Sequence, residues 1–558
     1  MIIGLDVGGT HTDVVLLSRE GLVEALKVPT EPDDLFHSVL QALERITARV
    51  DAAGVSRLVL STTLTTNAIV EDTIAPAGMI VSAGPGLDPA FFRTGRHYYP
   101  VPGSIDHRGR ERRPLETAAV EAAARRMAAD GIRQVGVVGK FSVRNPAHET
   151  AVQHCLGDRF ERVFTGHRLS GRLNFPRRIA TTFLNAAVYP LHRDFFQAVR
   201  RSLEQKGLAV PIDILKADGG TMNFDASLDA PCETILSGPA ASVAGALAAD
   251  PGPGQCMVLD VGGTTTDMAL LVEGAPLLSP AGGRIGPHNT LVRALYTRSI
   301  AVGGDSEVRV EGGRLIIGPR RRGSAMAFGG PVPTPTDALI VLGHMQTGDR
   351  RRARDGIASV AARLNVAVEE AAAAVFDHTC GKILAAVDRM VAAVNRRPVH
   401  TIHAFREGLQ VNPEAFLVMG GPAALFAPRL QTLSGRPCRV VPRPEVANAI
   451  GAALARATCE VTLLADTEQG LATAPEEDFT RRITGAYALE DARRDALRLL
   501  EKKALKKGAR AGDLELEVVE EEVFNMVRGF STTGRNIRVR AQVKPGVIGS
   551  LKFEGGML

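Results

Sequence analysis

Tryptophan is absent, and 20 phenylalanines and five tyrosines are the only aromatic rings in 558 positions. Surfaces that grip bases or sugars by stacking need clustered rings, so a stacking platform for nucleic acid is not expected. Six cysteines are scattered at 155, 232, 256, 380, 438 and 459, with no CxxC pair. That spacing excludes a zinc or iron–sulfur knuckle and suits a reduced, cytoplasmic chain. No charge of one sign dominates: 66 Lys and Arg stand against 61 Asp and Glu, a net of +5. So weak a balance over this length argues against nucleic-acid binding. No apolar run reaches the ~18 residues that a membrane helix needs, so no membrane association is expected. Met1 runs straight into IIGLDV, so no secretory leader is expected either. The motifs GxxxxGK[ST], GxSxG and HExxH are all missing.

What is present is ordinary globular material, 45% apolar and 23% charged, long enough for about three to four domains. One feature organises it. Residues 6–17 read DVGGTHTDVVLL and residues 260–271 read DVGGTTTDMALL, identical at nine of twelve positions. Each copy follows a short apolar stretch (2–5 and 257–259) and leads into a β-favouring one (14–17 and 268–271). The pattern predicts two hairpins with Gly-Gly-Thr tips, and hence two similar half-structures.

The rest alternates as α/β. Helices are expected over 33–51, 116–129, 174–206 and 239–248, and 357–396 reads as Ala-rich and helical. Strands are expected over 58–61, 135–139, 212–215 and 416–419, and 303–336 reads as loops. After 460 the character changes. Residues 462–475 read as a linker, 490–506 as a helix, and 514–524 and 536–543 as strands of a small antiparallel sheet. The basic stretch 502–510 reads as a solvated helix face. The expected segments are 1–175, 176–460 and 461–558.

A turn with two adjacent glycines lets backbone amides converge on one point, which is how a phosphate is cradled. Gly8, Gly9 and Thr10 form one candidate cradle; Gly262, Gly263, Thr264 and Thr265 form the other. Asp6 and Asp260 end the strands before them, placed to hold Mg²⁺, which favours one or two carboxylates together with phosphate oxygens and water. Two such turns facing one cleft would clamp a triphosphate from both sides. A dinucleotide fingerprint does not explain them, because its glycines must open a helix and here strand-like residues follow.

With those residues in view, the chain resembles the actin/Hsp70/sugar-kinase ATPase superfamily. VMGGPA at 418–423 resembles the adenosine block, and EVANAIGAALA at 445–455 and FLNAAVYP at 183–190 resemble the two connecting blocks. More narrowly, the chain resembles the hydantoinase A / 5-oxoprolinase family. The segments STTLTTNAIVE (61–71), FSVRNPAHE (141–149), ADGGTMNFD (217–225), ETILSGPAASVAGA (233–246) and AVGGDS (301–306) carry that resemblance beside the two hairpins. It implies an α/β, two-lobed actin-like ATPase fold of duplicated RNase H-like domains, with a small α+β C-terminal appendage. It also implies ATP and Mg²⁺ as cofactors and an ATP-dependent hydrolase that activates a cyclic amide, a hydantoin or 5-oxoproline, at its carbonyl oxygen. A B-type subunit or a second copy of the chain would be the partner. An ATP-dependent ketone carboxylase subunit, a small-molecule kinase and an ATP-driven switch are the alternatives.

Under the resemblance, Gly303, Gly304, Gly420 and Gly421 lie on the adenosine side. Asp13 and Asp267 serve as hydrogen-bond acceptors or hairpin caps, and His11 as packing. Thr62, Thr63 and Asn67 line the substrate side or act as caps. Arg177 and Arg178 hold a substrate carboxylate or make surface salt bridges, and Asp218 approaches the cleft or merely turns the chain. The chain departs from the family pattern at Ser61, after Glu71, in GPRRRGSAMAFGG (318–330) and in its shorter end. The first three departures bear on the substrate more than on ATP.

Overall fold

The computed structural model describes residues 1–9, 11–31, 34–48, 54–205, 207–208, 210–252, 254–396 and 410–549. Thr10 and the outer residues of the helix expected over 33–51 lie outside them; the described part of that helix is Leu35–Thr47.

The duplicated motifs are hairpins. Ile2–Val7 pairs antiparallel with His11–Leu17, and Gln255–Val261 with Thr266–Val272. In each, the first strand also pairs in parallel with a buried strand, Arg57–Thr62 in one and Ala415–Met419 in the other. In each, the second strand takes an antiparallel neighbour, Leu22–Pro29 in one and Thr297–Ile300 in the other. The sequence repeat is therefore a repeat of sheet topology.

The first sheet has six strands and extends past Arg57–Thr62 to Ile212–Leu215 and Thr221–Asn223. Those two strands fall beyond residue 175, so the first half of the fold crosses the expected boundary. A four-stranded parallel sheet, Arg162–Thr165, Gln134–Gly139, Ala77–Ser82 and Tyr98–Pro100, sits beside the 31-residue helix Phe175–Gln205.

Two helices of small residues join the halves. Ser237–Ala248 and Ala447–Leu454 pack closely, and the second also lies on strand Ile2–Val7. Glycine makes the crossing possible: a Cβ at Gly451 would fall 2.1 Å from the Gly245 nitrogen, and one at Gly4 would fall 2.3 Å from the Ala449 carbonyl oxygen. Val15 and Leu17 of the first hairpin share a buried cluster with Ala248, Ile450 and Ala453. The halves are thus bonded through core, not through a linker.

The stretch 357–396 is helical as expected, in two helices, Arg350–Leu364 and Val368–Asn395, separated where Asn365 adopts a left-handed conformation. Other expectations are corrected. Within 303–336, Val308–Glu311 and Arg314–Ile317 form a hairpin. The expected linker 462–475 is sheet: Glu460–Asp466 is central in a five-stranded antiparallel sheet, with Leu471–Ala474 beside it. Helix Leu489–Lys506 covers that sheet. The basic stretch 502–510 is not simply solvated, because Lys503 pairs with Glu477 at 2.6 Å and Lys507 with Glu233 at 3.3 Å. Among the described residues no helix is long and apolar enough to cross a membrane.

Candidate active site

Both hairpin tips close the same way. The Gly8 amide donates to the His11 carbonyl at 3.0 Å, and the Gly262 amide to the Thr265 carbonyl at 2.9 Å. These two amides are therefore spent on the turns, which corrects the expectation that they face phosphate. The amides of Gly9, Gly263 and Thr264 make no hydrogen bond with another described residue. Gly9 and Thr264 reach solvent, and Thr10 lies outside the described residues.

Asp6 and Asp13 are cross-strand partners in the first hairpin, as are Asp260 and Asp267 in the second. Asp260 is held by two helices. Its Oδ2 accepts from Ser242 Oγ at 2.6 Å and from Asn448 Nδ2 at 3.0 Å. Asn448 also acts on Asp6, so one amide lies between aspartates 254 residues apart in sequence. Burial pushes the Asp6 carboxyl up to about 7, and the charges of Asp13 and Asp260 push the same way, while Ser61 and Asn448 pull it down. Burial likewise raises Asp267 to about 7, helped by the Asp260 charge. Carboxylates crowd here with little compensation, and that is the setting in which a cation is stabilised.

The glycine loops gather round the second turn. A Cβ at Gly303 would fall 2.4 Å from the Gly262 carbonyl oxygen. The Gly304 amide donates to that oxygen at 3.0 Å, and the Asp305 amide to the Gly263 carbonyl at 2.7 Å. Gly420 has φ +93°, and a Cβ there would fall 2.2 Å from the Val261 carbonyl oxygen and 2.7 Å from Asp260 Oδ1. Only glycine fits this approach. Gly421 faces open space.

Thr62, Thr63 and Asn67 lie beside the first turn. The Thr63 hydroxyl donates to the Val7 carbonyl at 3.4 Å and accepts from Asn67 Nδ2 at 3.3 Å. Thr62 accepts the Leu64 amide, and its carbonyl accepts from Ser237 Oγ at the start of the small-residue helix. Lys27 is 2.9 Å from Asp13, and Arg321 is 3.3 Å from Asp305. Burial lowers the His11 pKa, with Lys27 and Arg321 pushing the same way and Asp13 and Asp305 opposing, so residues near both turns act on it.

Three expected residues are elsewhere. Arg177 donates to the carbonyls of Ala281 at 2.9 Å and Thr290 at 3.1 Å, so its guanidinium fastens a loop rather than a substrate. Arg178 is fully buried and donates to the Gly139 and Lys140 carbonyls at 2.6 and 2.8 Å. Asp218 is fully buried with Lys216, Arg293 and the Thr458 hydroxyl, and it joins the first half to the C-terminal sheet. That network borders a cavity of about 450 Å³ lined by Lys216, Glu233, Arg293, Glu476 and Lys503 and by none of the turn residues.

Ser242, Asn448, Lys27, Asp305 and Arg321 were not singled out in the sequence. Ser242 and Asn448 do lie inside motifs that read as small-residue helices, and a lone polar side chain on such a face was the available signal.

The Hydantoinase/oxoprolinase family model matches residues 178–461, and the model of that family's N-terminal region matches residues 2–160. The chain belongs to the hydantoinase/oxoprolinase family. Among its relatives, a caprolactamase subunit alpha from Pseudomonas jessenii is 28% identical over 80% of this chain and 69% of its own length. An acetophenone carboxylase gamma subunit from Aromatoleum aromaticum is 28% identical over 62% of this chain, and an acetone carboxylase beta subunit from Xanthobacter autotrophicus is 24% identical over 67%. This chain spans 53% and 60% of those two carboxylase subunits. Its fold is that of the ATP-dependent caprolactamase from Pseudomonas jessenii (TM-score 0.72, 20% identity, 100% of this chain and 89% of that one). It is equally that of acetone carboxylase (TM-score 0.70, 17% identity, 100% and 89%).

Proposed function

We propose that this family member is the nucleotide-handling part of an ATP-dependent cyclic-amide hydrolase. ATP bound between the two turns phosphorylates the amide carbonyl oxygen and leaves as ADP; water then adds at that carbon, the C–N bond breaks to free the amine and leave an acyl phosphate, and a second water hydrolyses that to carboxylate and phosphate. The observation that carries the reading is the meeting of Asp6 and Asp260, from duplicated hairpins, around Asn448. The relationship to a caprolactamase subunit over 80% of the chain favours an amide over a ketone as the group activated. The duplicated sheet topology fits a two-lobed actin-like ATPase with RNase H-like halves.

The chain's own residues would divide the work as follows. The free amides of Gly9, Gly263 and Thr264 take phosphate oxygens, and these preorganised dipoles favour the charge spread of phosphoryl transfer. Gly303, Gly304 and Gly420 close their loops against the second turn, and Gly421, which faces open space, lets adenosine approach the backbone beside them, while Thr62, Thr63 and Asn67 border the acceptor. Among the described residues no three His, Cys, Asp or Glu side chains gather into an all-protein metal cage. The pair Asp6 and Asp260 suits Mg²⁺, which keeps water and takes phosphate oxygens. When bound, Mg²⁺ would neutralise phosphate charge and align the transferred group. The relatives are subunits, so ring opening is assigned to an assembly with a B-type partner.

The test is ATP consumption by the chain, alone and with a partner subunit, against lactams, hydantoins, 5-oxoproline and simple ketones with bicarbonate. The expected result is cyclic-amide-dependent ADP release with a ring-opened product, lost in Asp260→Asn. Wild-type turnover in Asp260→Asn would remove the assignment; a stable phosphorylated product would make the protein a kinase, and bicarbonate-dependent consumption of a ketone a carboxylase.

A further inference from the structure

Asp6, Asp13, Asp260 and Asp267 act on one another across the two hairpins, and Asp305 is bonded to the second turn. A triphosphate entering there adds up to about four negative charges, and one Mg²⁺ cancels only two. Two of these carboxylates carry an ion pair among the described residues. Lys27 is tied down twice, to Asp13 at 2.9 Å and to the Glu445 carbonyl at 3.1 Å. Arg321 has one long contact, Nη2 to Asp305 Oδ2 at 3.3 Å, and its side chain is 30% exposed.

The loop carrying Arg321 is anchored at its base. Glu307 donates its amide to the Arg320 carbonyl at 2.9 Å, and the Gly318 amide donates to the Glu307 carbonyl at 3.0 Å. Arg322 is engaged elsewhere, with Glu307 at 3.1 Å. Asp305, which holds Arg321, is itself built onto the second turn. Its amide bonds the Gly263 carbonyl, and its carboxylate fills the space of a Gly263 side chain, 2.7 Å from where a Cβ would stand. The charges of Arg321 and Asp305 also reach His11 at the tip of the first turn. Arg321 therefore stands where the turns open to solvent, fixed by its backbone and lightly held at its head.

We propose that Arg321 is a phosphate clamp supplied by the chain itself. With a nucleoside triphosphate between the turns, its guanidinium leaves Asp305 and donates two N–H groups to terminal phosphate oxygens. A planar fork matches phosphate bidentately where an ammonium does not. Asp305 holds the guanidinium beside the second turn until then. The inference rests on the nucleotide reading above and adds to it the residue that distinguishes a triphosphate from a monophosphate. It concerns this chain in particular, because Arg321 lies in the stretch 318–330 that departs from the family pattern.

The experiment is calorimetric titration of the full chain with a non-hydrolysable ATP analogue plus Mg²⁺, and separately with AMP, alongside ATP turnover. Arg321→Ala should weaken analogue binding by ~10- to 100-fold, as expected for loss of a charge-assisted bond, and leave AMP unchanged. Its kcat should fall by ~10³-fold, the lower end for a cation supplied to phosphoryl transfer. Arg321→Lys should recover part of the binding, and Arg322→Ala should resemble wild type in every readout. Analogue binding and turnover within twofold of wild type in Arg321→Ala would overturn the clamp. Equal loss of analogue and AMP binding, with a lowered melting temperature, would also overturn it, by making Arg321 a structural residue. A wild-type chain that binds the analogue no better than AMP would remove the nucleotide reading itself, and the clamp with it.

Discussion

Replacing Asn448 by alanine tests the junction of the two hairpins directly. The Asn448 amide donates to Asp260 Oδ2 at 3.0 Å and acts also on Asp6, while Ser242 keeps its own bond to Asp260. A hydrogen bond to a charged acceptor contributes roughly 1.5–3 kcal/mol. If the bond orients Asp260 only for phosphoryl transfer, its loss lowers kcat by ~10- to 150-fold and leaves KM for ATP nearly unchanged. Stability should change little, because position 448 lies in helix Ala447–Leu454 and alanine is the better helix former. Asn448→Asp sets a third carboxylate beside two others and should lower turnover further. The assay is ADP release at saturating and limiting ATP, with thermal melting of each variant as control. An Asn448→Ala enzyme within twofold of wild type in kcat, with an unchanged melting temperature, would refute the reasoning that the two turns act as one site through this amide.

Gly303→Ala places a methyl 2.4 Å from the Gly262 carbonyl oxygen, so the second turn must move; ATP turnover should fall by ~100-fold, since displacements near 1 Å cost about that much. Asp218→Asn removes the carboxylate that buried Lys216 and Arg293 share, leaving Lys216 its pair with Glu233 at 3.2 Å and Arg293 its longer contact with Glu460 at 3.9 Å; unfolding in urea should show a loss of ~1.5–3 kcal/mol, with KM for ATP unchanged. His192 is fully buried, its Nε2 is 2.7 Å from Ser227 Oγ, and burial lowers its pKa to about 3. The unfolded chain takes up that proton near pH 6.5, so the contribution is whole above 6.5 and is lost as pH falls toward 3, up to ~4–5 kcal/mol in total. His192→Gln should therefore flatten the acid limb of stability between pH 6.5 and 4, and urea unfolding at several pH values with the two limbs still parallel would contradict this.

The hairpins were legible because their signal is local. Two glycines between apolar strands specify a tight turn whatever surrounds them, and the second copy repeats the specification. The long helix Phe175–Gln205 and the small-residue helix Ser237–Ala248 were legible for the same reason. The misreadings are tertiary. Residues 462–475 look like a linker because Thr467, Glu468 and Gln469 are polar, yet Val461, Leu463 and Ala465 alternate inward against Ile537, Val539 and Ala541 from the far end of the chain. Arg177 carries the right chemistry for a carboxylate, but what it meets depends on where 281 and 290 fold, and they present carbonyls.

Identical motifs also do not make identical sites. Asp6 and Asp260 occupy the same position in the same hairpin, but Asp260 is pinned by Ser242 and Asn448 from two crossing helices, whereas Asp6 lies opposite Ser61 on the neighbouring strand. The difference comes from which helices cover which end of which sheet. That arrangement is set by Gly245 and Gly451, whose missing side chains let the helices cross at contact distance. Larger residues there would separate the helices and carry Ser242 and Asn448 away from Asp260, leaving both turns formed but uncoupled. The sequence repeat specifies two turns; the glycine crossing between the halves brings Ser242 and Asn448 to one of them and gives the two aspartates unequal surroundings.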